Sequence, residues 1–258
     1  MTLLALEAVS KSFGVGRRRR LAVDGVSLSV ARGEIVGLVG ESGCGKSTLA
    51  RLALRLVDPD AGRILFDGID VTRLSGSTLA GFRRRIQLVF QDPLGSLNPR
   101  ATIRALLDDP LRVNRIGSRD ERRRQVEALA ARVRLPLPLL DRYPHEISGG
   151  QRQRVGIARA LTLSPDLVVC DEPVSSLDVS IRAQIVNLLL DLRRESGVAL
   201  LFISHDLALV RRVADRVAVM RNGVIVETGP SETVWRHPAA DYTRTLIAAQ
   251  PRLTRGGS

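Results

Sequence analysis

The sequence predicts an α/β fold, in which a mixed sheet is joined to an antiparallel β-subdomain and to a helical subdomain. The first observation is a set of short, mostly apolar runs of strand length, which are typical of strands buried on both faces of a sheet. The second is that helical segments separate these runs, as they do in α/β proteins. The runs lie at residues 35–39, 86–90, 167–170 and 200–203.

The loop after the first run reads Gly40-Glu41-Ser42-Gly43-Cys44-Gly45-Lys46-Ser47-Thr48. It fits the phosphate-loop pattern G-x-x-x-x-G-K-[ST], and a helical run at 49–56 follows it. Glycines let the backbone wrap closely around a polyphosphate, and the free N–H groups at the helix start favour anions. We expect Lys46 to reach the β- and γ-phosphates and Ser47 to bind Mg²⁺. A chance glycine-rich turn is the alternative, and the flanking strand and helix argue against it.

The N-terminal part has the pattern of antiparallel strands. Residues 3–13 form a first predicted strand, residues 22–30 alternate partly between apolar and polar side chains, and residues 63–66 form a further short strand. Partial alternation is typical of a strand with one solvated face. The sequence therefore predicts an antiparallel β-subdomain, with residues 14–20 as a basic loop.

After residue 100 the sequence pattern changes from short apolar runs to one that predicts helices. Ser118 can cap a helix whose apolar residues recur at helical spacing, and a further helix is expected at about 152–161. We predict a single domain of residues 1–250. It comprises a helical subdomain at about 101–162, and a core with its β-subdomain at about 1–100 and 163–250. Residues 251–258 are predicted to be a disordered tail.

The composition excludes several classes of protein. No apolar run approaches the roughly 18 residues of a membrane span, and no secretory signal is expected. The two cysteines, Cys44 and Cys170, form no disulfide framework, which favours a reducing cytoplasm. A net charge of +12, with arginine clusters at 17–20 and 122–124, could indicate nucleic acid, an anionic membrane or a solvated surface. Only 3% of residues are aromatic, so a base-stacking platform is not expected.

Two acids follow the apolar run at 167–170, namely Asp171 and Glu172. In proteins with a phosphate loop, such a pair supplies one carboxylate that supports Mg²⁺, here Asp171. The other, here Glu172, can polarise the attacking water. By itself the pattern also fits a strand that simply meets solvent. Together with the phosphate loop, it indicates nucleotide hydrolysis.

Residues 148–151 read Ser148-Gly149-Gly150-Gln151 and precede a predicted helix. Ser148 can cap that helix, and the two glycines leave backbone N–H groups exposed, which makes a second anion site of the same physical kind. A single chain has little use for two such cradles around one nucleotide. Two chains packed head to tail can use both, because each presents its second cradle to the nucleotide of its partner.

With these motifs in place, the sequence resembles the ATP-binding-cassette (ABC) ATPases along nearly its whole length. Six motifs occur in the order that the family has. They are the phosphate loop, Gln91 of the lid loop, the signature Ser148-Gly149-Gly150-Gln151, Asp171-Glu172, the dimer loop Ser175-Ser176-Leu177-Asp178 and the switch histidine His205. The resemblance implies a P-loop NTPase core of the RecA type that binds ATP and Mg²⁺. It also implies that two ATPases enclose two ATP molecules, each between one chain's phosphate loop and the other's signature.

The resemblance assigns roles to single residues. It implies that Phe13 stacks on adenine, that Gln91 approaches Mg²⁺ and the attacking water, and that His205 contacts the γ-phosphate. Phe13 could instead be a core aromatic at a strand end. The resemblance places Asp178 at the dimer interface, although this residue could also cap the following helix, and both can hold together.

Cys44 lies inside the phosphate loop, beside a helix N-terminus and close to Lys46, which together favour its thiolate. We predict that a thiol reagent modifies Cys44 before Cys170, which is expected in a buried strand. The alternative is that Cys44 fills an unconstrained loop position and points away from the nucleotide.

Further stretches are similar to the ATPases of oligopeptide, dipeptide and nickel importers. They are Val89-Phe90-Gln91-Asp92-Pro93, Ser96-Leu97-Asn98-Pro99-Arg100, Tyr143-Pro144-His145-Glu146, His237-Pro238 and Tyr242-Thr243-Arg244. The sequence departs from this pattern in two ways: three residues separate His237-Pro238 from Tyr242, and no cysteine follows Cys170. The chain resembles the shorter of the two ATPase subunits that such importers usually carry.

This likeness implies a peripheral ATPase at the cytoplasmic face of the cell membrane. Its implied partners are two transmembrane permease subunits, a second ATPase of the same or a related chain, and an extracellular solute-binding protein. No direct contact with nucleic acid is expected. One alternative is a soluble ABC ATPase acting on nucleic acid or the ribosome, but such proteins usually carry two cassettes or a long insertion. A non-hydrolysing regulatory module is another, against which Glu172 and His205 argue.

Overall fold

The computed structural model describes residues 1–14, 20–91 and 93–249. Its strands are β1 (Thr2–Phe13), β2 (Arg20–Ala31), β3 (Ile35–Val39), β4 (Ala61–Phe66), β5 (Ile69–Asp70), β6 (Ile86–Val89), β7 (Leu167–Asp171), β8 (Ala199–Ile203), β9 (Arg216–Arg221) and β10 (Val224–Pro230). Its helices are α1 (Lys46–Ala53), α2 (Gly76–Arg85), α3 (Pro93–Ser96), α4 (Ile103–Val113), α5 (Arg119–Arg132), α6 (Gly149–Leu161), α7 (Val179–Ser196), α8 (Leu207–Val213), α9 (Ser231–Arg236) and α10 (Asp241–Ala248). Short 3₁₀ turns at Leu137–Asp141 and Pro144–Glu146 connect α5 to α6. Most of the predicted basic loop and the whole predicted tail lie outside the described residues.

The larger sheet has the strand order β10-β9-β3-β8-β7-β6. Neighbouring strands from β9 to β6 run parallel, whereas β10 runs antiparallel to β9. The sheet is therefore mixed, which confirms the predicted fold class. Because the carboxyl ends of parallel strands meet at one edge of a sheet, the residues that follow β3, β6, β7 and β8 are brought together.

The strands of this sheet are buried on both faces. In β3, Ile35 and Val39 belong to a core that includes residues of α4, α5, α6 and α7. The alternate residues Val36 and Leu38 belong to a second core, which includes residues of α1 and of the N-terminal strands. This double burial explains why the strand has a continuous apolar sequence.

The smaller sheet has the order β2-β1-β4-β5, and all of its neighbours are antiparallel. It confirms the predicted N-terminal β-subdomain. Leu4 and Leu6 of β1 are fully buried and share the second core with Leu49 and Leu52 of α1. Packing between this sheet and α1 therefore holds the start of α1, and with it the end of the phosphate loop, in a defined place.

The helices α4, α5 and α6 form the helical part that the sequence predicts. Ser118 caps α5 as expected: its hydroxyl accepts a hydrogen bond from the Glu121 N–H, and the Glu121 carboxylate accepts one from the Ser118 N–H. The apolar face of α5 is buried through Val126, Leu129 and Ala130. The bounds of the subdomain at about 101–162 stay a prediction.

Several short helices were not predicted from the sequence, namely α2, α3, α8, α9 and α10. Helix α1 begins at Lys46, three residues before the predicted run, and ends at Ala53 because Arg55 adopts a left-handed backbone with φ of 51°. Among the described residues, no helix combines the length and the apolar character that crossing a membrane requires.

Candidate nucleotide site

Glycines shape the phosphate loop between β3 and α1. Gly40 and Gly45 have φ of 153° and 113°, in the region that side chains rarely adopt. A Cβ on Gly40 would lie 2.1 Å from the Met220 carbonyl oxygen, and a Cβ on Gly45 would lie 2.3 Å from that of Ala22. Only glycine at these positions lets the loop pack so closely against the backbones of β9 and β2.

The Lys46 side chain folds back over the loop and is 5% exposed. Its Nζ donates hydrogen bonds to the carbonyl oxygens of Gly40 and Glu41, both at 2.8 Å. Within the described residues, no carboxylate forms a salt bridge with it. The ammonium is therefore fixed by the loop itself, and its charge is left to attract an anion.

The thiol of Cys44 is directed into the core. The residue is 6% exposed and belongs to the same core as Met220, and it also lines the cleft described below. Its Sγ lies 3.8 Å from Lys46 Nζ. This burial favours the alternative, that Cys44 fills the loop and points away from the nucleotide, whereas the order in which a reagent modifies Cys44 and Cys170 stays a prediction.

Ser47 and Asp171 meet at the edge of the sheet, where α1 begins and β7 ends. The Ser47 hydroxyl donates a hydrogen bond of 3.2 Å to the Asp171 carboxylate. Burial raises the pKa of Asp171, and the charge of the adjacent Glu172 raises it further, against the lowering effect of Ser47. A hydroxyl and a partly buried carboxylate are oxygen donors of the kind that Mg²⁺ prefers.

Glu172 and His205 form a second pair at the same edge. His205 Nδ1 lies 2.9 Å from a Glu172 carboxylate oxygen, and the imidazole is 58% exposed, whereas the Glu172 side chain is 17% exposed. Glu172 has a left-handed backbone with φ of 49°, and its N–H donates to the Ile203 carbonyl oxygen at 2.9 Å. Such conformations are uncommon outside glycine and concentrate at functional sites.

One cleft of about 860 Å³ gathers most of the predicted site. The predicted residues that line it are Ser42, Gly43, Cys44, Gly45, Lys46, Ser47, Thr48, Gln91, Glu172 and His205. Gly40, Glu41 and Asp171 are not part of this lining but contact it through the hydrogen bonds described above. The lining thus combines a cation, backbone N–H groups and a carboxylate, which is what binding and hydrolysis of a polyphosphate require.

The cleft also contains residues that the sequence did not point to. They are Arg20, Leu21 and Ala22 of β2 and the turn residues Asn222 and Gly223. The Gly223 N–H donates to the Cys44 carbonyl oxygen at 2.8 Å, so the β9–β10 turn supports the phosphate loop from outside. Asn-Gly predicts such a turn, but its place beside the loop depends on the pairing of β9 with β3.

The signature residues 148–151 lie elsewhere. Ser148 and Gln151 form a capping box at the start of α6: the Ser148 hydroxyl accepts from the Gln151 N–H, and the Gln151 side chain accepts from the Ser148 N–H. A Cβ on Gly150 would lie 2.7 Å from Ile181 Cγ2 of α7, so this glycine allows α6 to approach α7 closely. None of residues 148–151 lines the cleft that holds Lys46.

Asp178 and Phe13 also lie outside the lining of that cleft. Asp178 occupies the cap position of α7, but its side chain makes no capping hydrogen bond, so capping does not account for its carboxylate. Phe13 ends β1, is 44% exposed, and has Lys11 Nζ 5.8 Å from its ring centroid. The alternative of a buried core aromatic is therefore wrong for Phe13.

Comparison with known proteins identifies the family. The profile of a family described as "ABC transporter" matches residues 23–175, more than half of the chain. The chain belongs to the ABC transporter family. The matched range contains the phosphate loop, Gln91, the signature and Asp171-Glu172, so the resemblance drawn from these motifs is confirmed.

Relatives of this chain include proteins that are named as ATP-binding proteins of import or transport systems. It is 50% identical over 249 residues, covering 96% of this chain and 78% of the relative, to a putative peptide import ATP-binding protein of Brucella ovis. It is 48% identical over 265 residues, covering all of this chain and 80% of the relative, to the oligopeptide transport ATP-binding protein AppF of Bacillus subtilis. It is 53% identical over 230 residues to the glutathione import ATP-binding protein GsiA of Pectobacterium atrosepticum, covering 89% of this chain and 37% of that longer protein.

Solved ABC cassettes have the same fold. The cassette MJ0796, solved as a dimer in a post-hydrolysis state with ADP and phosphate, superposes with a TM-score of 0.81 at 30% identity, covering 89% of this chain and 99% of that one. The CbiO1 subunit of Clostridium perfringens superposes with a TM-score of 0.82 at 29% identity, covering 97% and 96%. ATP binding and an ATP hydrolase activity of the ABC type, both predicted from the motifs, are confirmed by this membership.

Proposed function

We propose that this chain is the ATP-hydrolysing subunit of an importer for peptides or a similar small solute. The names of its relatives support this proposal, because they describe peptide, oligopeptide and glutathione import at 50%, 48% and 53% identity. In such a system the chain lies peripherally at the cytoplasmic face of the membrane and drives two transmembrane permease subunits. A solute-binding protein outside the cell delivers the cargo.

The observation that carries the proposal is the convergence of Lys46, Ser47, Gln91, Glu172 and His205 on one cleft. We assign the β- and γ-phosphates of ATP to the Lys46 ammonium and to N–H groups of residues 42–48, apart from that of Cys44, which donates to the Glu41 carbonyl oxygen. A fixed cation and preorganised N–H dipoles stabilise the charge of a transferring phosphoryl group without further reorganisation. Phe13, at the end of β1, remains the proposed contact for adenine.

Mg²⁺ fits the oxygen donors of Ser47, Asp171 and Gln91. The support is the hydrogen-bonded pair of Ser47 and Asp171 at 3.2 Å, which places two oxygen donors side by side at the edge of the sheet. When bound, Mg²⁺ would supply charge neutralisation and orientation for the β- and γ-phosphates. The protein side of this site needs few ligands, because Mg²⁺ usually keeps waters and substrate oxygens in its coordination shell.

Glu172 is proposed to orient and polarise the attacking water, and His205 to contact the γ-phosphate. With Nδ1–H donated to Glu172, the neutral imidazole has an unprotonated Nε2. His205 can then donate to a phosphate oxygen only after Nε2 is protonated or after its contact with Glu172 opens. Formation of the nucleotide complex is thus expected to change the Glu172–His205 pair.

We propose a second ATPase chain as a partner, and the proposal is supported by the place of the signature outside the cleft of its own chain. We propose that the signature residues Ser148, Gly149, Gly150 and Gln151 contact the nucleotide held by a partner, which is the same chain or a related one. Asp178, whose carboxylate is not used in capping, is proposed to lie at the interface between the two. Closure of this dimer would move the permeases, and hydrolysis would reopen it.

The test is transport by the assembled system. The chain would be co-expressed with candidate permeases and a companion ATPase, reconstituted in proteoliposomes, and supplied with the solute-binding protein and a library of short peptides. We expect peptide-dependent ATP hydrolysis and uptake, both abolished by Glu172→Gln. Hydrolysis stimulated by nucleic acid or ribosomes, without any response to the loaded binding protein, would contradict the proposal.

A further inference from the structure

The stretch Tyr242-Thr243-Arg244 has no part in the chemistry proposed above, although it lies at the start of α10, next to the phosphate loop. Its Tyr242 hydroxyl oxygen accepts a hydrogen bond from the Glu41 N–H at 3.3 Å, across 201 residues of sequence. Glu41 is the second residue of the phosphate loop, and its carbonyl oxygen accepts a hydrogen bond from Lys46 Nζ. Tyr242 therefore contacts the residue that also anchors the loop lysine.

The Tyr242 ring is itself held in place. The Arg221 guanidinium lies over it, 4.8 Å from the ring centroid, a separation at which a cation is attracted to an aromatic face. Arg221 is the last residue of β9 and directly precedes the turn that supports the loop through Gly223. Burial raises the pKa of Tyr242, so its phenol is protonated at neutral pH and its oxygen is a neutral acceptor.

The chain before α10 is fixed from the β10 side. The Glu227 carboxylate accepts hydrogen bonds from the N–H groups of Ala239 and Ala240, at 2.8 Å and 3.0 Å. The Ala240 N–H is an orphan donor at the N-cap of α10, which a carboxylate satisfies well, and the Ala239 N–H directly precedes it. Glu227 therefore sets where α10 begins and which of its residues faces the loop.

The chain before α10 is also fixed from the α10 side. Arg244 donates from Nη1 to the carbonyl oxygens of Pro238 and Ala239, at 2.7 Å and 3.1 Å. Thr243, between Tyr242 and Arg244, is 1% exposed and anchors the helix in the interior. Because consecutive helical residues are about 100° apart around the axis, a shift of α10 by one residue would turn Tyr242 away from Glu41.

We infer that Tyr242 is a positioning residue for ATP binding, which holds the Glu41 peptide of the phosphate loop in its binding shape. The inference rests on the proposed nucleotide site. A phosphate loop directs several N–H dipoles towards one point, an arrangement that an anion stabilises but an empty loop must maintain by other contacts. Holding the loop beforehand reduces the ordering cost that is otherwise taken from the binding free energy.

The test compares two tyrosine variants of the full chain. Tyr242→Phe removes only the hydroxyl and keeps the ring under Arg221. Tyr143→Phe is the matched control, because Tyr143 is the only other tyrosine and lies outside the cleft. Losing one solvent-accessible hydrogen bond should weaken binding of a fluorescent ATP analogue about two- to fivefold. In the assembled transporter, KM for ATP should rise by the same factor with kcat unchanged, while Tyr143→Phe matches the wild type.

A third variant tests whether the segment acts through the tyrosine. Arg244→Gln should also weaken nucleotide binding. If both residues act through the same contact, the double variant Arg244→Gln/Tyr242→Phe should bind nucleotide no more weakly than the single variant with the lower affinity. Unchanged affinity and KM in Tyr242→Phe, beside a wild type that binds ATP, would overturn the inference. So would a lower Tm of the nucleotide-free chain and a lower kcat at unchanged affinity, which indicate a purely structural role. If the wild type itself binds no nucleotide, the proposed site fails as well.

Discussion

The phosphate loop and the signature are two glycine-containing loops that each start a helix, yet their surroundings differ. The N–H groups at both helix starts favour an anion. Around the phosphate loop, the fold adds the Lys46 ammonium, the Ser47–Asp171 pair and the Glu172–His205 pair. The signature has its own capping box and close packing on α7.

This difference teaches that a cradle for an anion is not yet a catalytic site. Backbone dipoles can hold a phosphate, but hydrolysis also needs a fixed cation and a group that orients water. The first loop has these groups within one chain. The second can only add contacts to a nucleotide that another chain binds, which is the physical reason for expecting a dimer.

The largest expected effect comes from a substitution in the phosphate loop. Lys46→Ala removes the fixed cation and should lower ATP turnover of the assembled transporter by about 10²–10³-fold. The matched control is Arg63→Ala, because Arg63 is a cation that pairs with Glu7 on the smaller sheet and lies outside the cleft. A steady-state ATPase assay compares the two. Turnover near the wild-type level in Lys46→Ala would contradict the assignment of the phosphate loop.

The next effect separates the two loops. Ser148→Ala removes the cap of α6 and should lower the free energy of unfolding by about 1 kcal/mol, as measured with urea. ATP affinity of the isolated chain should stay the same, whereas turnover of the assembled transporter should fall about tenfold or more.

Ser118→Ala is the matched control for this experiment, since Ser118 forms the same capping box at α5. It should cost a similar free energy of unfolding and leave turnover unchanged. Equal turnover in Ser118→Ala and Ser148→Ala would mean that the signature acts only as a helix cap.

A smaller effect concerns Asp171, whose pKa in the folded chain is raised above its ordinary value of 3.8 by burial. The folded chain therefore binds this proton more tightly than the unfolded chain. The contribution of Asp171 to the free energy of unfolding should therefore fall as pH rises from about that ordinary value through the raised pKa. Asp171→Asn removes this slope and should be more stable than the wild type at neutral pH without nucleotide, in urea titrations at several pH values. A wild type with a higher free energy of unfolding than Asp171→Asn at neutral pH would contradict this prediction.

The smallest expected effect concerns Cys44 and tests whether its thiol in the phosphate loop is accessible. Cys44 is 6% exposed. Cys170 is fully buried, and burial raises the pKa of its thiol to about 12. Brief alkylation of the native chain should label both thiols slowly, and denaturation should make both accessible. Mass spectrometry with Cys44→Ser as the reference checks this. If Cys44 is labelled rapidly and ATP suppresses the labelling, its thiol faces the nucleotide after all.

The sequence by itself determined the features that depend on nearby residues. Apolar runs predicted β3 and β7 because strands buried on both faces carry no polar alternation. The caps at Ser118 and Ser148 were predictable because a hydroxyl and an N–H three residues on satisfy each other locally. The phosphate-loop motif was readable because its residues are contiguous, although the close approach of Gly40 to β9 and of Gly45 to β2 is not local.

Only the tertiary structure decided which of these features meet. Ser47 and Asp171 are 124 residues apart, and Glu41 and Tyr242 are 201 apart, so their contacts depend on strand order and on the packing of α1 and α10. The same packing turned the Cys44 thiol into the core and left Phe13 outside the lining of the cleft. Local sequence signals act over a few residues, whereas these contacts follow from how buried apolar faces pack across the whole chain, and no single segment encodes that.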